Sequence, residues 1–423
     1  MSSLLKVSDF LKRRRRAQSP AQIAELPLTT GAEGLLVVPV CTHTAPEHEE
    51  MKYHTVGQDL GRQEDWARLA ELIAHADAAG LTVSSGTAVS ELLAFGARAD
   101  VLGAFEHVLS GGDDDPDAPV WDGIAALEDV LGEMPDNHAV GAIVALAHMD
   151  IAWCWRGDAP QAQIAPRKQA TFAQHMDRAA TILRTTCAAA PDTPLLAYAR
   201  MRQHMRPDLD QLTVAERLSQ AAMTLFATNP LATQHLRLFG HMLLPRRFGT
   251  YARLETEARR NTARLKKTWG SGGYAWIMMD AICNDVEALA GLDVDFFIEG
   301  LRDILRRQPD QYTVNLLAAF CAVTMAEGSG DDAADFNRTR IQNCRNWIIC
   351  EYLHEVHPLV WAHAMRGFDR SIRVRCAERF ANRGLIEARR VLKALFLPEL
   401  ARGQNVSFTA NGPVTELPRY QKV

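Results

Sequence analysis

The chain has 423 residues, 47% of them hydrophobic and 23% charged, with a formal net charge of −5. This is a globular composition, which excludes wholesale disorder, and the length suits two or three domains or one elongated array. The small negative charge argues against a nucleic-acid binder, and no apolar run approaches the roughly 18–20 residues of a membrane span.

Residues 1–57 predict an irregular N-terminal arm. A short basic helix is expected over 3–16, and the following 17–25 are too polar and small for the apolar part of a secretory signal. Gly34-Leu35-Leu36-Val37-Val38-Pro39-Val40 is the best strand candidate, with Pro39 placing it at a sheet edge or in an extended arm. The eight cysteines are Cys41, Cys154, Cys187, Cys283, Cys321, Cys344, Cys350 and Cys376. They are scattered and never spaced Cys-x-x-Cys, so free thiols in a reducing cytoplasm are expected.

A helical region over 58–134 comes next, with helices at about 59–79 and 87–109 and a turn at Gly111–Asp117. From 135 to 400 the pattern is helix after helix, and 401–423 reads as a tail. In 138–155, Val140, Ile143, Val144, Ala147, Ile151, Cys154 and Trp155 form one stripe of a 3.6-residue period, a face that must be buried. Similar stripes recur in 212–227, 249–268, 274–289, 294–307, 312–326, 336–353, 371–382 and 385–397.

Helix starts repeat. Pro135-Asp136-Asn137, Pro191-Asp192-Thr193, Asn229-Pro230 and Pro309-Asp310 each precede an apolar helix. Proline fits a first helical turn and ends the helix before it, while Asp or Asn caps the new one. Pro191 and Pro230 lie 39 residues apart, Pro309 lies 79 beyond Pro230, and Trp269-Gly270-Ser271-Gly272-Gly273 breaks the chain midway. Each interval holds two helices, and one such pair cannot bury its apolar face alone. Before Pro191 the register slips, with Ile164-Ala165-Pro166 read as part of an inserted loop.

Small and large apolar residues in the paired helices, with a proline closing each second helix, carry a resemblance. Examples are Ala179-Ala180-Thr181-Ile182-Leu183 before Pro191, and Leu218, Ala222 and Leu225 before Pro230. Over 135–330 the chain resembles the tetratricopeptide-like class of helical repeats. Its unit is longer than the ~34 residues of the strict repeat, and the Trp, Leu-Gly and Tyr signature does not recur. The resemblance implies an all-α fold of stacked antiparallel helix pairs, a TPR-like α-solenoid with a short irregular N-terminal segment. Separately, Leu243-Leu244-Pro245-Arg246-Arg247-Phe248-Gly249-Thr250-Tyr251 is similar to a Pro-Arg-Trp-Gly-Gly-Ser element of uncharacterised bacterial proteins, which implies no activity.

Motifs that carry chemistry are weak. His48 and His54 flank Glu49 and Glu50, with His43 upstream, but six residues separate the two histidines where zinc peptidases need one helical turn. His354 and His357 stand at i, i+3 near Glu355 and His363, with Pro358 starting a new helix at once. Asp113-Asp114-Asp115-Pro116-Asp117 lacks the alternation of a calcium loop, and Gly270-Ser271-Gly272-Gly273 lacks the lysine of a phosphate loop. No metal site, cofactor or catalytic residue is predicted.

The strongest surface signal is basic. Arg246, Arg247, Arg253, Arg259, Arg260, Arg264, Lys266 and Lys267 face only Glu255 and Glu257. Leu254, Ala258 and Leu265 mark the inward face of this helix. Arg253, Arg260, Arg264 and Lys267 form a second stripe within about 40° of one another at ~100° per residue. Trp269, Tyr274 and Trp276 lie just beyond. Two readings stand: a solvated face, or one wall of a groove in which arginine forks hold an acidic or phosphorylated partner. Residues 366–393 form a second basic region, read as the polar face of a capping unit. The expected function is an adaptor or scaffold that binds a protein or peptide partner of acidic character, with Arg246, Arg247, Arg253, Arg260, Arg264, Lys267, Trp269 and Tyr274 at its site. The alternative is an all-α enzyme with its site between the N-terminal segment and the repeat body. Nucleic-acid binding through the two basic regions is a third reading, opposed by the net charge and the lack of a motif.

Overall fold

The computed structural model describes residues 34–111, 120–157, 163–368 and 376–417. The expected basic helix at 3–16, most of the Gly111–Asp117 turn and residues 369–375 of the second basic region lie outside them. Among the described residues there are nineteen α-helices and one small sheet. In chain order the helices begin with α1 (Ala45–Arg62), α2 (Trp66–Ala78), α3 (Val89–Gly111), α4 (Val120–Glu133), α5 (His138–Arg156) and α6 (Pro166–Thr185). There follow α7 (Pro194–Arg202), α8 (Gln211–Thr228), α9 (Thr233–Met242), α10 (Tyr251–Arg264), α11 (Lys266–Trp269), α12 (Gly272–Asn284) and α13 (Val286–Ala290). The last are α14 (Val294–Arg307), α15 (Gln311–Ala319, running into a π-helical turn at Phe320–Thr324), α16 (Asp332–Tyr352), α17 (Pro358–Ala364), α18 (Ala377–Leu395) and α19 (Leu397–Ala401). The strands are β1 (Leu36–Val37), β2 (Asn405–Thr409) and β3 (Gly412–Glu416). The chain is therefore mostly helical, as the 3.6-residue stripes predict.

The chain divides into two compact units, 45–313 with 324–344, and 1–44 with 314–323 and 345–423. In the larger unit α3 packs on α1 and α5, α5 on α6 and α7, and α7 on α8. Further along, α12 packs on α9, α10 and α14. Helices α5 and α12 are buried along almost their whole length. Among the described residues α5 is the helix long and apolar enough to cross a membrane, and 78% of its span is buried inside the protein.

The predicted breaks become real helix starts. Helices α7, α9, α12 and α15 begin at Pro194, Thr233, Gly272 and Gln311, each 39 residues after the one before. The capping chemistry differs from site to site. Asn137 accepts from the N–H groups of Ala139 and Val140, and Asp310 from that of Thr313. At the second break the cap is Thr193, with Pro194 as first helical residue, rather than Asp192. At the third, Asn229 ends α8 and the start of α9 has no side-chain cap. The arm is shorter than expected, because residues from Ala45 already belong to α1. His48 and His54 sit on that helix, and Glu49 accepts from the Ser84 N–H and hydroxyl at 3.0 Å each.

In the smaller unit the sheet order is β1-β2-β3, parallel between β1 and β2 and antiparallel between β2 and β3. The edge strand read at Gly34–Val40 is present at its centre. The expected tail instead forms a hairpin. Val406 and Phe408 point inward, Ala410-Asn411 make the two-residue turn, and Gly412, which pairs with Thr409 and opens β3, takes φ +95°. Helix α18 packs on α17 and α19. No disulfide joins any of the eight cysteines, all of which are among the described residues.

Candidate binding site

The basic segment opens with a tight turn. Leu243, Leu244, Phe248 and Gly249 are buried, and the Gln211 side chain donates to the Pro245 carbonyl at 2.9 Å. A Cβ on Gly249 would lie 2.2 Å from the Leu243 oxygen, so only glycine fits. This short element is thus a packing device that leaves Arg246 and Arg247 exposed. Thr250 caps α10 through the Arg253 N–H. Leu254, Ala258 and Leu265 are buried, as the periodicity requires.

The outward arginines of α10 are partly engaged. Arg253 is half-buried and pairs with Glu216 on α8. Arg259 pairs with Glu255 at 2.6 Å and with Asp293 at 2.8 Å, and its guanidinium lies over the Tyr274 and Phe296 rings. Arg260 is exposed but bonds at 2.9 Å to the buried carboxylate of Glu257. Among the described residues Arg264 reaches only Asn261, at 3.4 Å, and Lys267 is exposed. The two aromatics are core residues. Trp269 is buried and donates through Nε1 to the Pro230 carbonyl at 2.7 Å. Tyr274 is buried, and its hydroxyl donates to Glu255 at 2.7 Å. Burial, with the neighbouring Glu255 carboxylate, pushes the Tyr274 phenol well above its ordinary value.

A concave site lies one helix away. The facing sides of α6, α7 and α8 line an open concavity of about 440 Å³. Ala180, Leu183, Ala197 and Ala221 contribute apolar surface. Arg184, Arg200 and Arg217 come one from each helix, against the single acid Asp192. Arg200 spends its donors on Asp192 and on the Cys187 carbonyl, the latter at 2.7 Å. Arg184 makes only a 3.3 Å bond to the Thr181 hydroxyl. Arg217 is exposed, and among the described residues it bonds to no acceptor. His204 lines the same cavity. Burial, reinforced by the nearby Arg217 charge, pushes its imidazole down to about 4, so it is neutral at neutral pH. The cavity therefore offers cationic forks over an apolar floor, a setting for a carboxylate or phosphoryl group. Composition along the chain could not reveal it, because each helix gives only one arginine.

Other polar clusters in the larger unit pair chiefly within themselves, although Arg98 Nη1 is buried with no hydrogen-bond partner among the described residues. Asp150 bridges Arg98 at 2.8 Å and Arg202 at 2.6 Å. Burial raises its carboxyl, and the two guanidinium groups more than offset that. His148 bonds to His175 and to Glu128, each at 2.8 Å, and Trp121 stacks on the His175 ring at 5.8 Å. Burial, with His148 alongside, pushes His175 down to about 4. Among the described residues Cys41, Glu355 and His357 bring metal-ligand atoms within 4.8 Å of one another. The histidine spacing alone gave no sign of this, because Cys41 is 316 residues from His357 in sequence. Comparison of the chain with known protein families, with characterised proteins and with solved structures gives no match.

Proposed function

We propose that the larger unit is a helical-repeat interaction module, a TPR-like α-solenoid serving as adaptor or scaffold in the cytoplasm. Its partner is a protein or peptide with an acidic segment. The basic cavity between α6, α7 and α8 is the observation that carries this reading. Three arginines line the cavity with one aspartate, and exposed Arg217 bonds to no acceptor among the described residues. Two further features support it. Helix starts recur every 39 residues from Pro194 to Gln311. One side of α8 carries Arg217 to the cavity, while the neighbouring Glu216 holds Arg253 of α10.

The test is fluorescence anisotropy with short labelled peptides, one rich in Asp and Glu and one of equal length rich in Lys. The wild type retains the acidic peptide, more weakly as salt rises, because exposed charges are screened beyond about 8 Å at ~0.15 M. Arg217→Glu, an exposed substitution of little structural cost, weakens it by roughly tenfold or more, about 1.4 kcal/mol. Equal affinity for the two peptides, or an Arg217→Glu variant that binds as wild type does, refutes the assignment.

A further inference from the structure

We propose that Cys41, Glu355 and His357 form a binding site for a divalent transition-metal ion, with Zn²⁺ the best match to the donor set. The argument begins with strand parity. Val40 and Val356 face each other across a parallel bridge, locked by Cys41 N–H donating to the Val356 carbonyl at 2.9 Å and Val356 N–H donating to the Pro39 carbonyl at 2.8 Å. Side chains of paired extended segments alternate between two faces. Val40 and Val356 are buried on one face. Cys41, Glu355 and His357, each one residue removed, therefore share the other. Their sulfur, oxygen and nitrogen atoms lie within 4.8 Å of one another. Ligand atoms around a tetrahedral zinc are separated by roughly 3.3–3.6 Å, as bond lengths of about 2.0–2.3 Å require. Closing the set is thus a matter of side-chain rotation.

The backbone beneath the ligands is pinned. Asn315, wholly buried, donates to the Glu355 carbonyl at 2.9 Å and accepts from the His357 N–H at 2.9 Å and from Trp361 Nε1 at 2.8 Å. Pro358 starts α17 at the next residue. The His357 ring is buried and bonds through Nε2 to Glu355 at 2.9 Å, while its Nδ1 is buried without a partner. Half of the ring's bonding capacity is unused. The Glu355 side chain is 37% exposed, which leaves an entry path and room for a water as fourth ligand. Thiolate and imidazole select zinc-like ions over Mg²⁺ and Ca²⁺, which take oxygen donors.

Reduced, chelator-treated full-length protein titrated with Co²⁺ tests the site. One ion per chain is expected, with a thiolate-to-metal charge-transfer band that Zn²⁺ abolishes by displacement. The band is lost in Cys41→Ser and kept in Cys350→Ser, which alters an exposed thiol elsewhere in the same unit. A second measurement needs no variant: alkylation of native protein mapped by mass spectrometry. Zn²⁺ slows labelling of Cys41 at least tenfold and leaves Cys350 and Cys376 unaffected. Absence of the band, its survival in Cys41→Ser, or equal labelling of Cys41 with and without Zn²⁺ overturns the proposal.

Discussion

Gly240→Ala probes the contact between α9 and α12 directly. Glycine inside a helix is ordinarily a weakness, and alanine there stabilises by about 0.5–1 kcal/mol. At Gly240 the sign reverses. A Cβ would lie 1.8 Å from the Ile277 carbonyl oxygen of α12, where ordinary contact begins near 3.4 Å. The obstacle is helix backbone, so no rotamer relieves it, and the helices must part by more than an ångström. Overpacking of this kind costs about 1–3 kcal/mol and sits at the upper end when backbone must move. The expected net loss is about 2 kcal/mol. Gly103→Ala is the control, since Gly103 lies inside α3, is exposed and has nothing within 4 Å of a built Cβ. It should gain about 0.5–1 kcal/mol. Urea unfolding followed by the helical circular dichroism signal reads both. A Gly240→Ala protein with a midpoint at or above wild type refutes the close crossing of α9 and α12.

Leu225 is wholly buried in α8, so Leu225→Asp should cost about 4 kcal/mol through the lost side chain and an unpaired buried carboxylate; an unchanged melting temperature would mean that α8 presents a different face inward. Arg264→Glu should move the melting temperature little. Arg260→Glu should lower stability by about 1–2 kcal/mol, because it sets a carboxylate beside buried Glu257; differential scanning fluorimetry of each single variant separates the two. The imidazoles of His175 and His204 are held at about 4 against an ordinary 6.5, so the unfolded chain binds protons first as pH falls. Their contribution is whole above pH ~6.5 and is lost by pH ~4, up to about 3 kcal/mol each. Stability measured across that window should fall, and less steeply in His204→Gln; a flat wild-type profile contradicts the burial of these rings.

Local chemistry made the helices legible, and distance along the chain hid the sites. Helix starts at Pro194 and Gln311 follow from Thr193 and Asp310 as caps, signals carried within a few residues. The inward face of α10 was equally local, and Leu254, Ala258 and Leu265 are buried as their spacing demands. Its outward face was only half legible. That Arg253 and Arg259 would find Glu216 and Asp293 depends on which helices lie alongside, 37 and 34 residues away. Trp269 and Tyr274 follow the basic stripe in sequence but leave it in space. Gly270, at φ +58°, turns the chain into α12, whose surroundings bury it on nearly every side. The C-terminal hairpin carried little signal, since its turn is Ala410-Asn411 and Gly412 already belongs to β3. Two five-residue strands are too brief to stand out beside nineteen helices.

The pairing pattern gives the basic cavity its meaning. In the larger unit arginines bridge from one segment to another: Arg178 to Glu128, Arg253 to Glu216 and Arg340 to Asp295 between helices, Arg259 to the Asp293 cap of α14, and Arg206 of the loop after α7 to Asp177 of α6. Such exposed pairs are worth only ~0–1 kcal/mol each, so they fix lateral register more than they stabilise. Around the cavity between α6, α7 and α8 this rule lapses. Asp192 is the one acid available to three arginines, and it is taken by Arg200. Among the described residues Arg184 is left with a hydroxyl and Arg217 without an acceptor. His204 adds no charge at neutral pH and no carboxylate replaces it, so the excess is positive and stays so well below neutrality. An anionic group entering the cavity would supply the acceptor that the neighbouring helix junctions find within the chain. It would meet the guanidinium forks of Arg184 and Arg217 beside an apolar floor.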